Sequence, residues 1–234
     1  MKIFIYFISL LSYFYSYSQN FSGEIEYGVD YIGFSKDTSK IESIDYKESF
    51  LNFENQSKSY LKNDKAFTKL KFNNQYATYQ IIENLEMDDS NNAVIEIVAL
   101  QTDNYYIDIE NSKKYQYGKF KGKTVLVEFE RDYSWEIVDE YKNILGFRCQ
   151  KAVSKVGDPY EFGFAEAWFT TEIPVSIGPH SYTDLPGIIL GLKVKGRHIY
   201  ALDINISEND NLNLEENLET FTQDEYREMK KKGY

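Results

Sequence analysis

Short segments in which apolar and polar residues alternate recur along the chain, and this pattern constrains the fold more than any other feature. The clearest example is residues 22–31, where Tyr27 and Val29 alternate with Glu26 and Asp30. A period of two is typical of a β-strand that has one face on a core and the other in water. We therefore predict a half-buried strand here.

Further candidate strands follow at short intervals. Residues 50–53 and 59–62 flank the turn-rich run Glu-Asn-Gln-Ser and predict a hairpin. A polar interruption at residues 63–92 is dominated by Asn, Asp, Lys and Gln, and its last six residues predict a loop. Residues 105–109 and 124–130, joined by a stretch that contains two glycines, predict part of a meander. The remaining candidates are residues 135–141, 146–156, 163–170, 188–195 and 198–206.

About nine or ten strands in succession, with no long helical pattern between them, favour an antiparallel all-β domain over βαβ units. Such a meander can form a curved sheet, an open barrel or a sandwich. One short helix is predicted at the C-terminus, where Thr222 and Glu225 have the spacing of a capping box. Asp224 and Glu225 then lie at the positive end of the helix dipole, and Lys230 and Lys231 at the negative end.

The first residues have the features of an export signal. Met1 and Lys2 give a short positive start, residues 3–11 are apolar except for Ser9, and Ser16 and Ser18 provide small residues before a cleavage site. We predict a signal peptide at residues 1–18, cleaved after Ser18, and a single β domain at residues 19–234. The protein is then expected in the periplasm or at the outer membrane, with no transmembrane span after cleavage.

Composition narrows the function classes. The chain has 26 Lys plus Arg against 37 Asp plus Glu, a net charge of −11, so a nucleic-acid partner is not expected. The aromatic share of 17% indicates a folded chain. Cys149 is the only cysteine, so no intramolecular disulfide can form, and its apolar neighbours predict a small buried strand residue.

Few residues suggest chemistry. His180 and His198 are the only histidines and lie 18 positions apart, so no metal site is predicted. No Gly-rich phosphate loop is present, and no cofactor is predicted. His180, Ser181 and Asp184 lie within five positions, but triad members generally come from separate elements. The simpler interpretation is a surface loop in which Ser181 and Asp184 accept hydrogen bonds from the backbone.

The most distinctive segment contains three of the four prolines, Pro174, Pro179 and Pro186. Its motifs are Ala167-Trp168-Phe169-Thr170, Ile173-Pro174, Gly178-Pro179 and Asp184-Leu185-Pro186-Gly187-Ile188-Ile189, preceded by a block at residues 146–152. In these motifs the chain resembles the GLPGLI family of exported Bacteroidetes proteins. Asp184 stands where the signature has its first Gly, and Ile188 where it has its second Leu. The resemblance implies an envelope protein of uncharacterised activity and assigns no catalytic residue.

The prolines predict a rigid loop, because each fixes φ and lacks a backbone donor. Pro186 and Gly187 predict the centre of a type II turn. One interpretation is a crossover that closes one end of the sheet. The other is a ligand or partner loop that forms the rim of a pocket or a docking surface. The candidate residues of that loop are Trp168, Phe169, His180, Tyr182, Asp184, Pro186 and Gly187.

Three functions remain open. The favoured one is a non-catalytic binding or accessory protein, in which an aromatic-rich curved sheet holds a hydrophobic ligand or faces another envelope protein. The second is a carrier of lipids or other hydrophobic ligands, which requires an open apolar cavity. The third is a hydrolase or isomerase centred on His180.

Overall fold

The computed structural model describes residues 22–32, 43–61, 68–82, 104–131, 133–155, 164–194, 196–207 and 218–232. The predicted signal peptide and the loop at residues 87–92 lie outside these residues. The described part contains two helices, α1 (Ile44–Leu61) and α2 (Gln223–Lys231), and twelve strands. The strands are β1 (Ser22–Tyr31), β2 (Thr68–Phe72), β3 (Tyr76–Ile81), β4 (Tyr105–Asp108), β5 (Lys113–Phe120), β6 (Lys123–Phe129), β7 (Glu136–Ile144), β8 (Phe147–Lys155), β9 (Phe164–Thr170), β10 (Ile188–Val194), β11 (Arg197–Ser207) and β12 (Thr220–Thr222).

All twelve strands form one sheet that does not close on itself, in the order β12-β6-β5-β4-β3-β2-β1-β11-β10-β9-β8-β7. β1 lies between two meanders, β2 to β6 on one side and β11 back to β7 on the other. Neighbouring strands are antiparallel, except that β12 runs parallel to β6. The predicted antiparallel all-β fold with a short C-terminal helix is confirmed.

The two faces of the sheet differ as the alternation in β1 predicts. Tyr27 and Val29 are fully buried on what we call the core face, while Glu24 and Glu26 lie on the opposite, outer face. The register extends the core face across the neighbouring strands, because Val29 pairs with Ile199, which is also fully buried.

Among the described residues, two elements outside the sheet pack on the core face besides α1, whose Glu54 contacts Tyr31. The first is the segment between β9 and β10, residues 171–187, which we call the 171–187 loop. The second is α2, whose Tyr226 ring lies over Gly118 of β5 and whose phenol bonds the backbone of Lys119. The predicted capping box is present, since Thr222 accepts from the backbone N–H of Glu225 while the Glu225 carboxylate accepts from that of Thr222.

The predicted hairpin at residues 50–53 and 59–62 is wrong, because residues 50–53 and 59–61 belong to α1, while residue 62 lies outside the described residues. Residues 44–61 contain neither Gly nor Pro, so nothing forces a turn at the polar run. Asp45 lies in the first turn and Lys58 in the last, as the helix dipole favours. Tyr31 of β1 donates to the Glu54 carboxylate at 3.3 Å and so ties the helix to the sheet.

Four described strands have no counterpart among the predictions: β2 and β3 lie in the polar interruption, β5 lies in the predicted connection between β4 and β6, and β12 directly precedes the C-terminal helix. Leu70 and Phe72 of β2 are fully buried, while Lys69 and Lys71 point outward. The alternation is therefore present in β2, but lysines and asparagines mask it. The Asn73 side chain makes the β2–β3 turn by accepting from the N–H groups of Gln75 and Tyr76.

Candidate functional site

The 171–187 loop packs into the core, so the interpretation of His180, Ser181 and Asp184 as a surface loop holds only for Asp184, which is exposed. Ile173, Val175 and Ile177 are buried against the core face, as is Leu185 near the loop end. The loop runs back beside β10, since the N–H groups of Ile188 and Ile189 donate to the carbonyls of Ile173 and Ile177 at 3.1 and 2.9 Å. Within this region, loop side chains occupy the space that a carrier would need for its ligand.

Gly187 is required by a close approach. A Cβ atom there would lie 2.0 Å from the carbonyl oxygen of Thr170. Its φ is not positive, so the predicted type II turn centred on Pro186 and Gly187 is wrong, because that turn needs a positive φ at its second central residue. Pro186 itself is exposed at the surface of the loop.

The three residues with catalytic potential make separate contacts. His180 is 8% exposed, and the centre of its ring lies 5.2 Å from that of Tyr79 and 6.0 Å from that of Tyr105. The Ser181 hydroxyl is fully buried and lies 2.8 Å from the phenol of Tyr133. The exposed Asp184 carboxylate accepts from Lys114 at 3.1 Å. The arrangement therefore does not support a triad in which Asp184 orients His180.

Residues that no motif indicates hold the loop in place. Tyr182 stacks on Tyr133 with ring centres 4.4 Å apart, and the Trp135 indole donates to the Thr183 carbonyl at 2.7 Å. The Lys114 ammonium lies 5.0 Å from the centre of the Tyr133 ring and also donates to the Arg131 carbonyl at 2.8 Å. Tyr133, Trp135 and Lys114 are brought to the loop only by the tertiary fold, so no local sequence pattern predicts them.

Trp168 and Phe169 do not form one site. Phe169 is 1% exposed on the core face, whereas Trp168 lies on the outer face beneath the Lys142 ammonium, which is 4.2 Å from its ring centre. The Trp168 indole donates to Glu166 at 3.1 Å. The candidate residues thus separate into a buried group, two exposed loop residues (Asp184 and Pro186), and Trp168 on the opposite side of the sheet.

The outer face carries two groups of aromatic rings. In the first, Tyr106 stacks between Tyr76 and Tyr115, with ring centres 5.8 and 5.6 Å apart. Burial, and then the nearby Asp108, raise the pKa of Tyr106 well above its usual range, so the phenol stays neutral. A neutral phenol offers both a hydrogen-bond donor and an acceptor.

The second group lies on β9 and β11. The His198 and Tyr200 rings are 5.2 Å apart, and the Tyr200 phenol donates to Asp30 at 3.4 Å. Tyr200 lies over Gly28, where an added Cβ would come within 3.0 Å of its ring. Trp168 completes this group two strands away.

Between the two groups, ion pairs cross the outer face. Lys69 contacts both Glu24 and Glu26, and Lys71 contacts Glu24 at 3.3 Å. Burial opposes ionisation of Glu24, but the hydrogen bonds and charges of the two lysines outweigh it and lower the pKa of this carboxyl. The outer face therefore combines neutral aromatic groups with fixed charges.

The described ranges contain neither a cluster of metal-ligating side chains nor a membrane-crossing helix. No three His, Cys, Asp or Glu side chains of these ranges lie close enough together to hold a metal ion. Neither α1 nor α2 has the length and apolar character that a membrane-crossing helix requires.

Part of the chain is similar to a known protein family. Residues 158–191 match a family model described as "Protein of unknown function (Porph_ging)". The matched residues include most of the proline-containing segment and the whole 171–187 loop. No curated protein matches the chain.

Two solved structures of PNGF-II, in the P21 and C2 space groups, are similar in fold. Their TM-scores are 0.55 and 0.54, with 17% and 15% sequence identity. Each similarity covers 91% of this chain but only 33% and 32% of the PNGF-II chains. This chain therefore spans about a third of the length of those chains.

Proposed function

We propose that the protein is an exported, non-catalytic binding protein of the cell envelope that uses the outer face of its sheet. The observation that carries this proposal is the pair of aromatic groups on that face, around Tyr106 and around Tyr200. Tyrosine combines an apolar ring with a polar tip, which suits a surface that binds and yet remains wet. The sheet holds both groups in fixed positions, so little conformational entropy is lost on binding.

The 171–187 loop has a structural role in this proposal. It closes the core face with its own apolar side chains, and the Lys114–Asp184 ion pair fixes it to β5. A rigid core face supports a rigid outer face, because the same strands form both. This role corresponds to the crossover interpretation, one of the two that the sequence leaves open for this loop.

The export part of the proposal rests on residues 1–18 and on the GLPGLI resemblance. The accessory character has separate support, since PNGF-II contains a similar fold as about a third of a longer chain. In that protein the fold is combined with other parts of the chain. We infer that this chain uses the fold as a binding module.

Native mass spectrometry on protein purified from its own cell envelope tests both parts. The denatured mass should match residues 19–234, and the native mass should exceed it by a bound ligand or partner. A variant carrying Tyr76→Ser and Tyr200→Ser should lose the excess mass. Tyr46→Ser is the matched control, since Tyr46 is 52% exposed and lies on α1 instead of on a strand of the outer face.

The outcomes separate the two parts of the proposal. A cytoplasmic protein with an intact N-terminus would contradict export. A native mass equal to the bare chain, or excess mass that persists in the double variant, would contradict binding at the outer face.

A further inference from the structure

A row of basic side chains crosses five neighbouring strands of the outer face. Lys142 lies on β7, Lys151 on β8, Lys193 on β10 and His198 on β11, with Trp168 on β9 between them. Lys193 is paired directly with His198, and Lys151 with Trp168. We call these five residues the Trp168 patch. The clustering of cations is notable in a chain with a net charge of −11.

The carboxylates that form ion pairs in the patch contact only two of its three lysines. Lys151 contacts Glu140 at 3.0 Å and Glu166 at 3.4 Å, and Lys193 contacts Glu166 at 3.1 Å. These two lysines thus use both acids. Among the described residues, no carboxylate lies within 4 Å of the Lys142 ammonium, which contacts the face of Trp168.

The burial of Lys142 raises the free-energy cost of keeping its ammonium charged without a contacting carboxylate. The side chain is half-buried, and burial, followed by repulsion from Lys193, lowers the pKa of its ammonium. A partly desolvated cation without a counter-ion is stabilised by an anion placed beside it. The cation–π contact holds the ammonium in position but does not neutralise it.

His198 adds a group that can respond to an anion. Burial, and then the charges of Lys142 and Lys193, lower the pKa of its imidazole. The groups that face it are Lys142 from β7, Glu166 from β9, Lys193 from β10 and Asp30 from β1, besides Tyr200 on its own strand. Near neutral pH the imidazole is therefore uncharged, and a bound anion would favour its protonation.

We propose that the Trp168 patch binds a single anionic oxygen group, the chemistry that a carboxylate and a phosphodiester share. The ammonium of Lys142 supplies the main attraction, and the charge of the bound anion favours the protonated form of the nearby His198. This inference rests on the proposed use of the outer face and specifies the ligand chemistry of one part of it. The affinity for the anion should increase as the pH falls through the pKa of His198, because protonating the imidazole then costs less free energy.

The test uses proton NMR of the two histidines at constant ionic strength, with sodium acetate and sodium dimethyl phosphate as separate probes and sodium chloride as the reference salt. With a bound probe, the titration of His198 should move to higher pH. His180, on the core face, is an internal reference and should not change. The probe that shifts His198 at lower concentration identifies the carboxylate or the phosphodiester as the ligand type.

Variants test the role of Lys142. Lys142→Gln should weaken probe binding at least about tenfold, the loss expected for a charge-assisted contact. Lys142→Arg should retain it. Lys113→Gln is the matched control, because Lys113 is an outer-face lysine already paired with Glu128 at 3.1 Å, and binding should be unchanged.

Two results would overturn the inference: no movement of the His198 titration with either probe, or an equal loss of binding in Lys142→Gln and Lys113→Gln. An unchanged His180 signal shows that each variant is folded. If the anion probes fail while the native mass of the envelope protein still depends on Tyr76 and Tyr200, the ligand chemistry is wrong and the binding function stands.

Discussion

The carbonyl oxygen of Thr170 lies 2.0 Å from the position that a Cβ atom of residue 187 would occupy. Thr170 ends β9 and Gly187 directly precedes β10, so this contact brings together the two ends of the 171–187 loop. The loop can pack on the core face only because residue 187 has no side chain. The Pro-Gly step is therefore a packing requirement of the fold.

Gly187→Ala is expected to destabilise the protein by at least about 2 kcal/mol, since backbone atoms must move to admit the methyl group. Gly191→Ala is the control in the same region, because an added Cβ there meets its neighbours at 3.5 Å or more. It should change the free energy of unfolding by less than about 1 kcal/mol. Urea denaturation measures both, and equal effects would contradict the packing explanation.

Asp184 has a φ of 71°, which lies in the left-handed region. In the GLPGLI signature, which this segment resembles, the same position is a glycine. Asp tolerates this conformation better than β-branched residues do. Asp184→Val should therefore cost about 1–2 kcal/mol more than Asp184→Gly, although both remove the ion pair to Lys114. Thermal unfolding of the two variants gives the comparison, and equal melting temperatures would exclude a role for backbone conformation.

Lys114 and Lys113 are neighbours on β5 with opposite surroundings. The Lys114 side chain is 11% exposed and bonds both Asp184 and the Arg131 carbonyl, whereas that of Lys113 is 48% exposed on the outer face. Lys114→Met should cost about 2 kcal/mol, and Lys113→Met less than about 0.5 kcal/mol. Urea denaturation measures these free energies of unfolding. Hydrogen exchange should also be faster at the amide groups of Ile188 and Ile189 in Lys114→Met, because the loop is then held less tightly. Similar values for both variants would mean that Lys114 does not fix the loop.

Cys149 should be inert in the native protein. It is fully buried in β8, as the sequence predicts, and burial raises the pKa of its thiol to about 11. A thiol reagent at pH 8 should therefore label Cys149 only at the rate of unfolding. Rapid labelling of the folded protein would show that the strand is accessible.

The same burial makes stability sensitive to alkali. Burial raises the pKa values of Cys149, Tyr27 and Tyr79 in the folded state, so the unfolded state loses protons first as the pH rises. The contribution of Cys149 is complete below about pH 9 and is lost as the pH rises to about 11. Urea denaturation in this range should show a decreasing free energy of unfolding, with a smaller slope in Cys149→Val. A slope that the variant leaves unchanged would contradict this assignment.

The sequence predicted what local rules determine. Alternation identified β1 because its outer positions are acidic and its inner positions are large and apolar. The capping box identified the start of α2 because its two residues, Thr222 and Glu225, lie within four positions of each other and act locally. In α1, by contrast, the polar run predicts a turn, although the structure has a continuous helix there.

The candidate site was less predictable because it depends on which face and which neighbour each residue meets. Trp168 and Phe169 are adjacent in a strand and therefore point to opposite faces, which the period of two requires. The need for glycine at position 187 comes from Thr170, 17 positions away. The role of Lys142 depends on the ion pairs that Lys151 and Lys193 form with Glu140 and Glu166. No motif contains that information.

Oxidative footprinting of tyrosines is the most direct test of binding at the outer face. The protein is labelled once in its purified form and once in its own envelope fraction, and the modified residues are quantified by mass spectrometry. We predict lower labelling of Tyr76, Tyr106 and Tyr200 in the envelope, with equal labelling of the exposed Tyr46 on α1. Equal labelling of all four tyrosines in both samples would contradict the proposed function.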